Sequence, residues 1–202
     1  IYRLLQTILK PNNLKLKQTY IIEHLEPKLW PWCIIEYKHI SKIVGKNNLL
    51  FTNLKKTDFK KLNKYGKVSD NKAREFSLKN ACLLDPESKK TLTSKEAKKY
   101  SYFIFGGILG DYPPRKRTKS ELTRFIKNTK IRNLGKHQLS TDNAVFVVKQ
   151  LCNGKNLEDI KFQDEVEIKI NKIESTILPF KYPIVNGKPN ISKELVKYLK
   201  KH

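Results

Sequence analysis

Residues 103–118 read FIFGGILGDYPPRKRT. Within this stretch Gly106, Gly107 and Gly110 are followed by Asp111, by Pro113 and Pro114, and by Arg115 and Arg117. Glycines let the backbone adopt positive φ or approach a ligand closely. Prolines stiffen the segment after them. A tight turn alone needs only a Gly or a Pro; a stiff loop that also carries an acid and two arginines suits the wall of a site. The arginines stay protonated, so they are not bases. They can hold a carboxylate or phosphate, pair with Asp111, or form an exposed basic patch. A G-x-G-x-x-G fingerprint and a P-loop are both absent, so this is no standard dinucleotide or nucleotide cradle. A second constellation, RNLGKHQLSTDNAVFVV at 132–148, repeats the pattern about thirty residues on. There Gly135 follows a strand-like run, and Ser140, Thr141 or Asp142 can cap an apolar helix. His24 and His137 are auxiliary polar groups or satisfied structural histidines.

The elements that must position these loops alternate. YIIEH (20–24), LLFTN (49–53), ACLLD (81–85), YFIFGG (102–107) and TKIRNLG (129–135) read as strands. Segments 29–44, 55–66, 93–100, 119–126 and 141–154 read as helices. The apolar stripe of the first runs Trp30, Cys33, Ile34, Tyr37, Ile40 and Val44, with Pro31 at its start and Gly45 at its end. VEIKI (166–170) alternates as a strand, and a basic helix capped by Ser192 closes the chain. Continuous apolar strands between helices predict an α/β fold, a mostly parallel sheet with helices on both faces. Ligands of such sheets bind outside the carboxyl ends of the strands, where both glycine loops fall.

Composition bounds the function classes. The 202 residues suit one domain, taken as 19–202 behind a basic extension of unknown role at 1–18. That extension opens with an amphipathic helix, IYRLLQTILK, ending at Pro11, and it lacks the serine of a transit peptide. The chain has no methionine, so Ile1 is not an initiator. No apolar run is long enough for a membrane span. Cys33, Cys82 and Cys152 are odd in number and scattered; they fit neither a disulfide framework nor a zinc site, and read as buried free thiols in a reducing, cytoplasmic compartment. The net charge of +23 points to a polyanion such as RNA. Lysines outnumber arginines 36 to six, as an AT-rich coding bias would also produce, so a merely solvated lysine surface stands beside that reading. Four of the six arginines lie between residues 115 and 132.

FGGILGDYPPRKRT followed by LGKHQLSTDNAVFVV resembles the C-terminal half of the SPOUT methyltransferases. With YIIEHLEP and IIEY (20–37), CLLDP (82–86), EDIKF (158–162) and PFKY (179–182), the chain is similar to a SPOUT family once described as RNA methyltransferases. That family includes a eukaryotic arginine methyltransferase acting on a small-subunit ribosomal protein. The resemblance implies a C-terminal trefoil knot cradling S-adenosyl-L-methionine. It implies cofactor contacts from Phe105, Gly106, Gly107, Leu109 and Gly110 in the first loop. In the second they come from Arg132, Leu134, Gly135, Leu139, Ser140 and Thr141, with Asp142 and Ala144 as weaker candidates. It also implies carboxylates that align a guanidinium and accept its proton: Asp111 first, then Glu23 and Glu36, with Asp85 a further acid of the matching segments. Arg115 and Arg117 are candidates for substrate or phosphate contact. The expected function is transfer of a methyl group to an arginine of a small-subunit ribosomal protein, by a monomer needing no metal. An RNA methyltransferase of the same fold is the alternative, favoured by the basic charge. A non-enzymatic ribosome- or RNA-binding module is the third, and it would need degraded cofactor loops.

Overall fold

The computed structural model describes residues 17–110 and 115–201. The expected helix at 1–10, together with Asp111, Pro113 and Pro114, lies outside the described residues. The centre is a six-stranded sheet of β1 (Thr19–His24), β2 (Leu49–Thr52), β3 (Lys67–Val68), β4 (Ala81–Leu84), β5 (Tyr102–Gly107) and β6 (Lys130–Arg132). All its pairings are parallel, in the order β3-β2-β1-β5-β4-β6. Thus β1 and β5 lie side by side at the middle, Glu23 paired in register with Gly106 and His24 with Gly107.

Alternation along the strands sorts the side chains to two faces. Tyr20, Ile22, Phe103 and Phe105 pack with Cys33, Tyr37 and Ile40 of α1 (Pro31–Val44) and with Val145, Val148 and Leu151 of α5 (Thr141–Cys152). Ile21, Leu83 and Ile104 face the other way, against Ala73, Leu122 and Ile126. Burial on both faces is why the strands read as unbroken apolar runs. Helix α1 follows its sequence signals: Pro31 occupies its first turn, and Gly45 ends it at φ 82. Trp30, expected in its stripe, is instead exposed, since it precedes the helix. The three cysteines are buried and form no disulfide.

The other helices are shorter than their sequences suggest. Segment 55–66 is a 3-10 turn at Lys56–Asp58 followed by α2 (Phe59–Leu62). Thr93 caps α3 (Ser94–Ala97) by accepting the N–H of Glu96. The helix expected at 119–126 starts earlier, as α4 (Arg117–Glu121), and continues as a 3-10 turn at Thr123–Phe125. An i,i+4 ion pair, Arg117 Nε to Glu121 Oε1 at 2.7 Å, sets that earlier start.

Beyond residue 160 the architecture turns antiparallel. β8 (Val166–Lys169) pairs with β9 (Ser175–Leu178), and β10 (Tyr182–Val185) lies between β7 (Phe162–Gln163) and β11 (Lys188–Pro189). Their inner residues Val166, Ile168, Leu178, Phe180 and Tyr182 form a third cluster with Trp32 and with Val196 and Leu199 of α6 (Lys193–Leu199). Among the described residues no helix is long and apolar enough to cross a membrane.

Candidate active site

A cavity of about 500 Å³ opens at the carboxyl ends of β4, β5 and β6. Its walls are Leu84–Glu87 after β4, Phe105, Gly106, Ile108, Gly110 and 115–118 after β5, 133–139 after β6, and Thr141 and Ala144 of α5. A parallel sheet exposes its strand-end backbone here, between loops that no strand pairing occupies. Of the sequence-predicted cofactor residues, Phe105, Gly106, Gly110, Leu134, Gly135, Leu139 and Thr141 meet at this cavity, and Ala144 joins them. Gly107, Leu109, Arg132 and Ser140 do not line it.

Each of those four has another partner. A Cβ on Gly107 would collide with the Tyr37 hydroxyl, so this glycine lets α1 close on the sheet. Leu109 turns its side chain to the core and donates its N–H to Glu26 Oε1 at 2.9 Å. Arg132 pairs with Glu96 through Nη2–Oε1 at 2.6 Å and Nε–Oε2 at 3.1 Å. Ser140 donates its hydroxyl to Asp142 Oδ1 at 2.6 Å and accepts Asn143 Nδ2 at 2.9 Å. It holds the start of α5 through this side-chain network.

The loops are fixed by contacts that sequence reasoning missed. Glu26 Oε1 accepts both the Leu109 N–H and Arg117 Nη1, the latter at 2.7 Å, while Arg117 Nη2 donates to the Leu25 carbonyl and to Glu121. Arg117, a candidate substrate contact, thus clamps the first glycine loop to the end of β1. The opposing carboxylates hold its guanidinium charged far above the working pH range. Arg115 lines the cavity. Lys116, left-handed at φ 56, reaches Glu87 Oε2 at 3.0 Å across the cavity wall. In the second loop Asn133 is the hub. Its Oδ1 accepts the Gly135 N–H and the Thr91 hydroxyl, and its Nδ2 donates to the Ser88 carbonyl. Gly135 takes φ 85 there, which favours glycine. The PFKY segment braces both loops: the Phe180 ring packs where a Cβ on Gly110 would sit, 2.5 Å away, and the Lys181 N–H donates to the Gln138 carbonyl. Thr141 Oγ1 donates to the Gly106 carbonyl at 3.2 Å, tying the two loops to each other.

The acids separate into distinct settings. Asp111 lies outside the described residues. Glu23 is buried on the face away from α1 and accepts the Ala73 N–H; burial pushes its carboxyl above the usual range. Glu36 is buried in α1 and accepts Trp32 Nε1 at 2.9 Å. Burial, and secondly the nearby Asp142, raise its pKa well above the usual range. Asp142 accepts the Ser140 hydroxyl, the Asn143 N–H, and a 2.7 Å contact from His39 Nδ1. These two carboxyls, one in α1 and the other next to Thr141 in α5, were legible as separate acids but not as a pair. Asp85 is spent on structure: its oxygens accept the Glu87 N–H at 2.9 Å and the Thr123 hydroxyl at 2.6 Å. His24 is buried against the Tyr37 hydroxyl at 2.8 Å, and burial lowers its pKa. His137 stacks on Phe162 and is lowered by burial and by Lys181. Among the described residues no cluster of three or more metal-ligating side chains occurs.

Comparison with known proteins matches this arrangement. The arginine N-methyltransferase SFM1 of Saccharomyces cerevisiae is 36% identical over 200 residues, covering 90% of this chain and 94% of its own. The structure of the yeast enzyme complexed with SAH superposes with a TM-score of 0.83 at 34% identity, covering 92% of this chain and 96% of that one. Its complex with SAM gives 0.82 at 36% identity over 91% and 90%. A dual-specific Trm10 from Thermococcus kodakaraensis, at 17% identity and a TM-score of 0.52 over 70% of this chain and 96% of its own, shares the fold. The family described as protein arginine N-methyltransferase SFM1-like matches residues 19–202, and the chain belongs to that family.

Proposed function

We propose that the chain is an S-adenosyl-L-methionine-dependent protein-arginine N-methyltransferase whose substrate is a small-subunit ribosomal protein. The observation that carries this reading is the cavity at the ends of β4, β5 and β6, in a chain whose yeast relatives are complexed with SAM and SAH. Its volume is that of a small-molecule site, roughly 300–1,000 Å³. Its lining fits the cofactor: Phe105, Leu134, Leu139 and Ala144 offer apolar surface to a purine, and Gly106, Gly110 and Gly135 bring backbone within reach of polar edges. When bound, the cofactor supplies a methyl group on a sulfonium centre.

The chain's own residues then have three tasks. The strand-end loops hold the ligand and, braced by Arg117, Asn133 and Phe180, keep its position fixed. A carboxylate aligns the planar guanidinium and takes the proton it loses on alkylation, and Asp111 in the first loop is our first candidate. Glu36 is the second, through its pairing with Asp142 in the first turn of α5; Glu23, held by Ala73 on the other face, is the third. In this reading the two glycine loops belong to a trefoil knot, and the enzyme works as a cytoplasmic monomer. Incubation with methyl-labelled cofactor and small ribosomal subunits tests the proposal. Label that survives nuclease and is recovered as methylarginine supports it. Nuclease-sensitive label would make the chain an RNA methyltransferase and overturn the arginine assignment.

A further inference from the structure

A second cavity, of about 570 Å³, lies on the sheet face away from α1 and α5. It is formed by two segments, 73–78 and 125–129. Phe125 stands at its edge 40% exposed, unusual for a phenylalanine. Its ring is flanked by two guanidinium groups, Arg124 at 4.5 Å and Arg74 at 5.4 Å from the centroid. Arg74 and Lys127 in these segments, and Lys79, Arg124 and Lys130 just beside them, are all exposed, against the single exposed acid Glu75.

An exposed aromatic ring with two guanidinium groups over it does little for a fold. It matches the surface on which unpaired bases stack, with cations beside it to meet phosphates. An acidic protein segment would use the cations but leave the ring without a purpose. We propose that this cavity binds a single-stranded RNA segment, a base packed against the platform that Phe125 forms with its arginines and the backbone met by the cations Arg74, Arg124 and Lys127. The site is separate from the methyl-transfer cavity but joined to it by one stretch of chain: residues 115–118 wall the first cavity and 125–129 the second. Thr123, between them, is hydrogen-bonded to Asp85 beneath the first. RNA bound here would hold the enzyme against a ribonucleoprotein without entering its active site. The inference does not depend on the substrate of the methyl transfer.

The test is fluorescence anisotropy with a labelled single-stranded oligoribonucleotide at several salt concentrations, on the full chain. Phe125→Ala is expected to weaken binding about tenfold with the salt dependence unchanged. Arg74→Ala/Arg124→Ala is expected to weaken it similarly and to lower the salt slope by roughly 0.7 for each phosphate no longer neutralised. Calorimetric binding of S-adenosylhomocysteine by both variants should equal wild type, which shows that they are folded. Unchanged RNA affinity in both variants, or equal displacement of the RNA by polyglutamate, would mean binding spread over the lysine surface and would overturn the proposal. So would failure of the wild type to bind.

Discussion

The two cavities are close in volume, about 500 and 570 Å³, and the cluster of arginines between residues 115 and 132 reaches both. Their chemistry differs in what the arginines touch. At the first cavity Arg117 is consumed by Glu26 and Glu121, and nearby Arg132 by Glu96. At the second, the exposed Arg74 and Arg124 lie over Phe125. An arginine held by two carboxylates is a strut, whereas one lying on an exposed ring can meet a ligand. Proximity in sequence concealed this division, because two of the acids that decide it, Glu26 and Glu96, come from β1's end and from α3.

Removing the strut should have the largest effect. Arg117→Ala leaves Glu26, only 10% exposed, without its cation and frees the wall that follows β5. We expect a stability loss of about 2–3 kcal/mol, read by denaturant titration, and at least a tenfold loss of S-adenosylhomocysteine affinity. Unchanged cofactor affinity would separate the clamp from the site. Glu36→Gln should act next, and through pH. A carboxyl whose pKa is raised on folding stabilises the fold most below its unfolded value near 4.3, and that contribution is lost as pH rises toward the folded value. The variant should therefore melt a few degrees above wild type at pH 8 and converge with it near pH 4. A constant difference at all pH values would remove the buried acid pair from the account. Arg132→Ala breaks a pair whose acid is 34% exposed, so about 1 kcal/mol or less is expected, with cofactor affinity intact. Smallest is Phe125→Ala, which should change stability by less than about 0.5 kcal/mol. A larger loss would make that ring part of the core and blur the contrast between the cavities.

Much of the fold was legible in the sequence where one signal dominated. Strands β1, β4 and β5 were unbroken apolar runs because both of their faces are covered, and α1 and α5 were marked by Pro31, Gly45 and Gly154 at their ends. The region after residue 160 was opaque beyond VEIKI and the C-terminal helix, which Ser192 caps as expected. There β10 contains Pro183, which argues against a strand, and β7 and β11 are too short to carry a pattern. Turns hidden in asparagines, at Asn53, Asn80 and Asn128, take positive φ without a glycine to announce them. Within the site, Gly106, Gly110, Gly135 and Thr141 were found through the family resemblance that their two motifs carry. Glu26, Asn133 and Phe180 were not, since each acts by reaching a loop distant in sequence. Gly107 and Leu109 sat in the right motif, but Gly107 faces α1, as alternation along β5 requires, and Leu109, beyond the strand, packs on the core.

A crystal structure of the chain grown with S-adenosylhomocysteine tests the central claim most directly. The account predicts a bent ligand in the first cavity, its purine against Leu134 and Leu139 and its polar edges on the backbone of 105–110 and 133–139. Ligand density in the cavity beside Phe125, or none in the first cavity at saturating concentration, would contradict it.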